Sequence, residues 1–155
     1  MSEKDKREAL IDDVLSNEDV DDPALLELER LGDAAFDEIS RRMAMKSLPP
    51  TQQEWALRVL ARLTRQNCAK RKEEVLDLAL ENLKSDNPIV RSGAVNTAIW
   101  SVLILEGNPG LVTMPENLPA ATPSLRDRVK AAVGQAVQRG VDEKQARFAR
   151  RFMAR

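Results

Sequence analysis

The sequence predicts an all-α fold, and three observations carry it. Apolar residues recur at spacings of three and four, and β-branched alternation is missing. Two dipeptides, Asp22-Pro23 and Asn87-Pro88, each join a cap residue to a proline suited to the first helical position. Residues 5 to 16 place Leu10, Ile11, Val14 and Leu15 on one stripe, and an acidic loop follows. A short helix over 23 to 31 ends where Gly32 can take a positive φ, and the next, to about Lys46, buries Phe36, Ile39 and Met43. After Pro49-Pro50, Thr51 and Glu54 have capping-box spacing ahead of a helix with the stripe Trp55, Val59, Leu60 and Leu63. Beyond the polar stretch 65 to 72 come Val75, Leu76, Ala79, Leu80 and Leu83. A long helix then runs from Pro88 to about Leu105 with Val90, Ala94, Val95, Ala98, Ile99 and Val102 inward. Gly107-Asn108-Pro109-Gly110, Pro115 and Pro119 deny regular helix as far as Thr122 and mark a candidate contact loop. The last two helices are expected over 124 to 139, stopped by Gly140, and over 141 to about 154.

Composition narrows the chemistry. With 155 residues, 43% of them hydrophobic, the chain suits one domain that builds a core without staples. It has one cysteine, Cys68, and no histidine, so it lacks an intrachain disulfide, the commonest general base and the commonest zinc ligand. No phosphate-binding glycine loop, nucleophile motif or metal-spaced cluster stands out, and no catalytic, cofactor or metal residue is predicted. Cys68 beside Lys70, Arg71 and Lys72 reads as an incidental thiol. Trp55 and Trp100, on apolar stripes, read as core residues, and Met43, Met45 and Met114 as gap fillers. There is no basic start followed by an apolar run, and no stretch is expected to approach the roughly 18 apolar residues of a membrane span. A cytoplasmic location is the expectation.

The formal charge of −1 hides a polarity. Residues 1 to 38 hold four basic and fourteen acidic side chains, a net of −10, and the remainder carries +9. Acid peaks at Glu18, Asp19, Asp21 and Asp22, whereas residues 124 to 155 have a net of +6. Arg41 and Arg42, with Arg71 and Lys72 from the 65 to 72 cluster, are expected to join Lys144, Arg147 and Arg151 in one positive partner-binding surface. Head-to-tail association of copies is a second consequence of such polarity.

The chain also repeats itself. A shift of 40 residues lays Phe36, Ile39 and Met43 on Leu76, Ala79 and Leu83, and a shift of 35 lays Trp55, Val59, Leu60 and Leu63 on Val90, Ala94, Val95 and Ala98. A two-helix unit of 35 to 40 residues produces this pattern, and such units stack to bury their apolar faces. Asp86, Pro88, Val90, Arg91, Ala94 and Ala98 resemble the first helix of a HEAT repeat, and residues 31 to 36 leading into Ile39 and Met43 resemble the turn and second helix of such a unit. The unit at 50 to 84 departs from the pattern, with Gln53 and Glu54 near the place of Val-Arg.

The resemblance covers residues 23 to 105 and implies a short right-handed α-α superhelix, a HEAT-like solenoid of helical pairs. Residues 1 to 22 would form an acidic N-terminal helix and loop, 106 to 123 a Pro-rich loop, and 124 to 155 basic C-terminal capping helices. It further implies a structural ladder role for Asp86 and Arg91, and a non-enzymatic protein-protein interaction scaffold with another protein as partner. Two alternatives stay open: an immunity protein that neutralises a cognate toxin, and a nucleic-acid binder using a basic face.

Overall fold

The computed structural model describes residues 2–19, 21–64, 71–105 and 123–154. Within them the chain forms eight helices and no strand: α1 (Glu3–Ser16), α2 (Pro23–Leu31), α3 (Asp33–Ala44), α4 (Pro50–Leu63), α5 (Lys72–Asn82), α6 (Pro88–Leu105), α7 (Pro123–Arg139) and α8 (Glu143–Met153). The expectations placed on Arg65, Cys68, Lys70, Met114, Arg155 and the loop at 106–122 lie outside the described residues.

Local chemistry explains most boundaries. Asp22 accepts a hydrogen bond from the Ala24 N–H at 2.9 Å, and Pro23 follows as the first helical residue of α2. Gly32, at φ 57 and ψ −122, both ends α2 and begins α3, a reversal that a Cβ would strain. Asn87 caps α6 by accepting from the Ile89 N–H at 2.9 Å, and Asp142 caps α8 by accepting from the Gln145 N–H at 2.8 Å. Ser2 and Asp5 form a reciprocal capping box on α1, which starts two residues before the sequence suggested.

The box expected at Thr51 and Glu54 does not form. α4 already begins at Pro50, whose fixed φ suits the first helical position, so Thr51 lies inside the first turn. Gln53 instead donates its side-chain amide to the Leu48 carbonyl at 2.9 Å, and Glu54 is free to face another helix.

The core is continuous from α1 to α8. Ile11, Leu28, Phe36, Ile39, Leu57, Leu60 and Ile99 are fully buried, each worth roughly 1.5–3 kcal/mol of apolar burial. α1 packs on α2, α3 and α4, and the Trp55 indole of α4 donates to the Val14 carbonyl in the last turn of α1 at 2.8 Å. That bond satisfies one of the carbonyls a helix end leaves orphaned. Met45 departs from its expected role: it is 63% exposed, its sulfur beside Arg41.

α6 is the central helix and packs against α4, α5, α7 and α8. At 18 residues it is long and apolar enough to cross a membrane by length and composition, which corrects the expectation that no stretch approached that size. Its apolar character has a packing cause, since 78% of the helix is buried by its neighbours.

Candidate functional site

The basic residues singled out in the sequence do not form one surface. Arg41 and Arg42 stand on α3 and both bond Glu38, Arg41 through Nη2 at 2.6 Å and Arg42 through Nε at 3.1 Å, while Arg42 also reaches Asp12 of α1. Arg71 pairs with Asp33 and Asp37 of α3 and lies 4.7 Å over the Phe36 ring. Lys72 is only 3% exposed, and its Nζ donates to the Thr64 carbonyl at 2.7 Å, so its charge is used inside the fold. The expectation of a single positive face is thereby corrected. The cause is the acidic first segment, which folds over the middle of the chain. Asp12, Glu29, Asp33, Asp37 and Glu38 neutralise Arg41, Arg42, Arg62 and Arg71.

Glu38 anchors this network. Its hydrogen bond from Arg41, then that from Arg42, hold its carboxyl down from 4.5 to about 2. Because the folded pKa lies below the unfolded one, the associated stability is present above about pH 4.5 and fades as pH falls toward 2. Glu38→Gln is expected to cost about 1.5 kcal/mol at pH 7, with the gap to wild type closing between pH 4.5 and 2 in urea unfolding. A gap that stays constant with pH would remove Glu38 from this role.

Lys144, Arg147 and Arg151 behave differently. They are exposed on α8 and make no ion pair among the described residues. With Phe148 they occupy positions i, i+3, i+4 and i+7, one stripe of the helix. The stripe borders an open groove of about 480 Å³ between α6 and α8, whose other wall carries Asn96 and Trp100. The Trp100 and Phe148 rings lie 5.6 Å apart between centroids at 38°. Trp100 is therefore a half-buried groove residue rather than a core residue, unlike Trp55.

A second cleft of about 680 Å³ adjoins the first, because Gln145 lines both. Its walls include Glu54 and Arg58 of α4, Ile89 and Gly93 of α6, and Asp142 at the start of α8. Ile89 is 45% exposed, a large apolar side chain turned to solvent. Burial pushes the Glu54 carboxyl up, Arg58 opposes that, and the charges of Glu18 and Asp142 push it further up. This cleft is of mixed sign, with Glu54, paired to Arg58, and Asp142 standing beside Arg91 and Arg139, whereas the groove along α8 carries Lys144, Arg147 and Arg151. Along α6, Ile89 is exposed and Asn96 and Trp100 are partly so, while Gly93 between them is buried against Glu54 of α4.

Asp86 and Arg91 are structural links. Asp86 accepts from Arg139 at 2.8 Å, and Arg91, 6% exposed, donates to the carbonyls of Ser85, Arg139 and Gly140. Among the described residues no cluster of three His, Cys, Asp or Glu is placed to hold a metal. Comparison with protein-family models, curated proteins and solved structures finds no match to this chain.

Proposed function

We propose that this protein is a non-enzymatic protein-binding module, built as a short stack of HEAT-like helical pairs, that receives its partner on the outer face of α4, α6 and α8. The packing of α2 on α3, α4 on α5 and α6 on α7, with α6 also against α4 and α8, supports a stacked arrangement. The observation that carries the binding site is the groove itself: three cations without ion pairs surround a half-buried Trp100–Phe148 pair. Trp and Arg dominate binding energy at protein interfaces because they combine large desolvated area with directional hydrogen bonds. Cations held on a rigid helix also steer an acidic partner at little ordering cost.

Cations and aromatic rings together also favour a second reading, single-stranded nucleic acid stacked in the groove. The adjoining cleft is of mixed sign, with Glu54 and Asp142 beside Arg58, Arg91 and Arg139, and is not the uniformly positive groove that tracks a strand's backbone.

Side-by-side affinity capture from an extract of the source organism, using wild type and Arg147→Glu/Arg151→Glu, tests both readings. A protein held by wild type and lost by the variant, with unchanged helicity, is the expected result. Equal capture by both forms would remove the α8 groove as the site. A labelled oligothymidine that binds wild type with a steep salt dependence would replace this reading with the nucleic-acid one.

A further inference from the structure

We propose that the groove between α6 and α8 docks a short acidic peptide segment of another protein, one that carries carboxylates on both sides of a single large apolar anchor. The inference rests on reading the groove as a protein-binding surface, and it adds the chemistry of the partner. Lys144, Arg147 and Arg151 line the groove, and no carboxylate lines it among the described residues. The carboxylates at the start of α8 are engaged: Asp142 accepts from the Gln145 N–H at 2.8 Å as the helix cap, and Glu143 accepts from Arg150 at 3.1 Å. The three groove cations are exposed and make no ion pair among the described residues, so an incoming carboxylate displaces no internal partner. In the adjoining cleft the cations are engaged, Arg58 with Glu54, Arg139 with Asp86 and Arg91 with backbone carbonyls.

The rings fix where an anchor sits. α6 and α8 run parallel, because Ser92 meets Asp142, Asn96 meets Gln145 and Trp100 meets Phe148 in step. Trp100 and Phe148, with centroids 5.6 Å apart, are both half-buried and line the groove together. An apolar side chain laid on them removes their remaining surface from water. Phe148 stands four residues after Lys144 and three before Arg151, about 6 Å and 4.5 Å along the helix. Cations therefore flank the rings on both sides. From an anchor seated on the rings, one turn of helix or two residues of extended chain reach each flanking cation. Acid on both sides of the anchor matches both cations, and acid on one side leaves one of them unmatched.

Size selects a segment. A groove of about 480 Å³ admits a few side chains, and Lys144 to Arg151 covers about 10 Å. A short acidic stretch that orders on binding suits this site, because it offers much charge and one or two apolar anchors. Single-stranded nucleic acid follows a positive track several nucleotides long, which the mixed cleft next to this groove does not continue. So small a contact binds weakly, with a Kd of about 10 to 100 μM, and loosens with salt.

Panning of displayed random peptides of about 15 residues on the full chain, with Arg147→Glu/Arg151→Glu as soluble competitor, reads the preference directly. The expected enrichment is Asp or Glu on both sides of one Trp, Phe or Leu. A synthetic copy of an enriched peptide should bind wild type and bind Arg147→Glu/Arg151→Glu at least about tenfold more weakly, at unchanged helicity. Polyglutamate of equal length, and the peptide with its anchor replaced by alanine, should each also bind at least about tenfold more weakly. The bound peptide should shield Trp100 from acrylamide quenching; Trp55, 3% exposed, contributes little to that signal.

Absence of enrichment overturns the proposal, as does enrichment without flanking acid or without an apolar anchor. Polyglutamate that binds as tightly as the enriched peptide reduces the site to a basic patch and overturns it too, as does unchanged quenching of Trp100. Oligothymidine that binds more tightly than any enriched peptide replaces it with the nucleic-acid reading. A cellular protein captured through α8 while panning yields no acid-flanked anchor sinks this partner chemistry and leaves the binding-module reading standing. Failure of both capture and panning removes the groove altogether.

Discussion

Gly93→Val is expected to lower stability by about 3 kcal/mol, because α4 crosses α6 where a Cβ has no room. An ideal Cβ on Gly93 would lie 2.2 Å from Cγ of Glu54, 3.0 Å from its Cβ and 3.3 Å from its Cα. The Cγ can swing aside, but the Cβ and Cα cannot, and the branched valine adds two methyls where one carbon already collides. Gly93→Ala sets two effects against each other. Alanine improves helix propensity by about 1 kcal/mol, whereas displacing Glu54 disturbs its pair with Arg58 and forces the helices apart. The clash should win, so that Gly93→Ala is also destabilising, by about 1 kcal/mol. In a Glu54→Ala background the nearest obstacle is gone, and the cost of Gly93→Ala should shrink by at least half. Urea unfolding of the four forms followed by circular dichroism measures this cycle. Stabilisation by Gly93→Ala, as propensity alone demands, would mean that the two helices do not approach this closely.

That contact shows what the sequence reveals and what it hides. The stripe of α6, its Asn87-Pro88 start and the reversal at Gly32 were all legible, because periodicity and caps act over a few residues. Gly93 reads as an ordinary concession within an apolar helix until Glu54, far away in sequence, is found on top of it. The same limit applies to the two tryptophans. Both lie on apolar stripes, yet Trp55 is sealed against α1 and Trp100 opens into a groove, and only the neighbour across from each decides. Charge behaves likewise. The sequence totals of −10 and +9 are correct, but pairs such as Arg42–Asp12 and Arg71–Asp37 cancel much of that polarity inside the fold and leave α8 as the cationic remnant.

Arg91→Ala is the second substitution expected to act strongly, with a loss of about 3 kcal/mol. One guanidinium closes two turns at once: Nη1 donates to the Ser85 carbonyl at 3.0 Å before α6, Nε to the Gly140 carbonyl at 3.0 Å and Nη2 to the Arg139 carbonyl at 3.2 Å after α7. Carbonyls at the end of α7 lack helical partners, so the planar fork of Arg91 supplies what the helix cannot. Lysine offers no such fork, and Arg91→Lys should recover less than half of the loss. Arg139 bridges the same turns by donating to the Lys84 carbonyl at 2.8 Å and to Asp86, but its side chain is far more exposed. Arg139→Ala should therefore cost less than about 1 kcal/mol. This ranking separates a desolvated fork from a solvated bridge that looks equivalent in a contact map. It also reaches the groove, because the turn that Arg91 holds is the one from which α8 departs, and Asp142 in that turn donates its N–H to Ser92 of α6 at 2.9 Å. With the turn released, amide exchange in α8 should accelerate before that of α4, and binding at the groove should weaken under conditions where the rest of the chain stays folded. If α8 and α4 instead lose protection together, Arg91 supports the whole fold rather than the placement of the cations on α8.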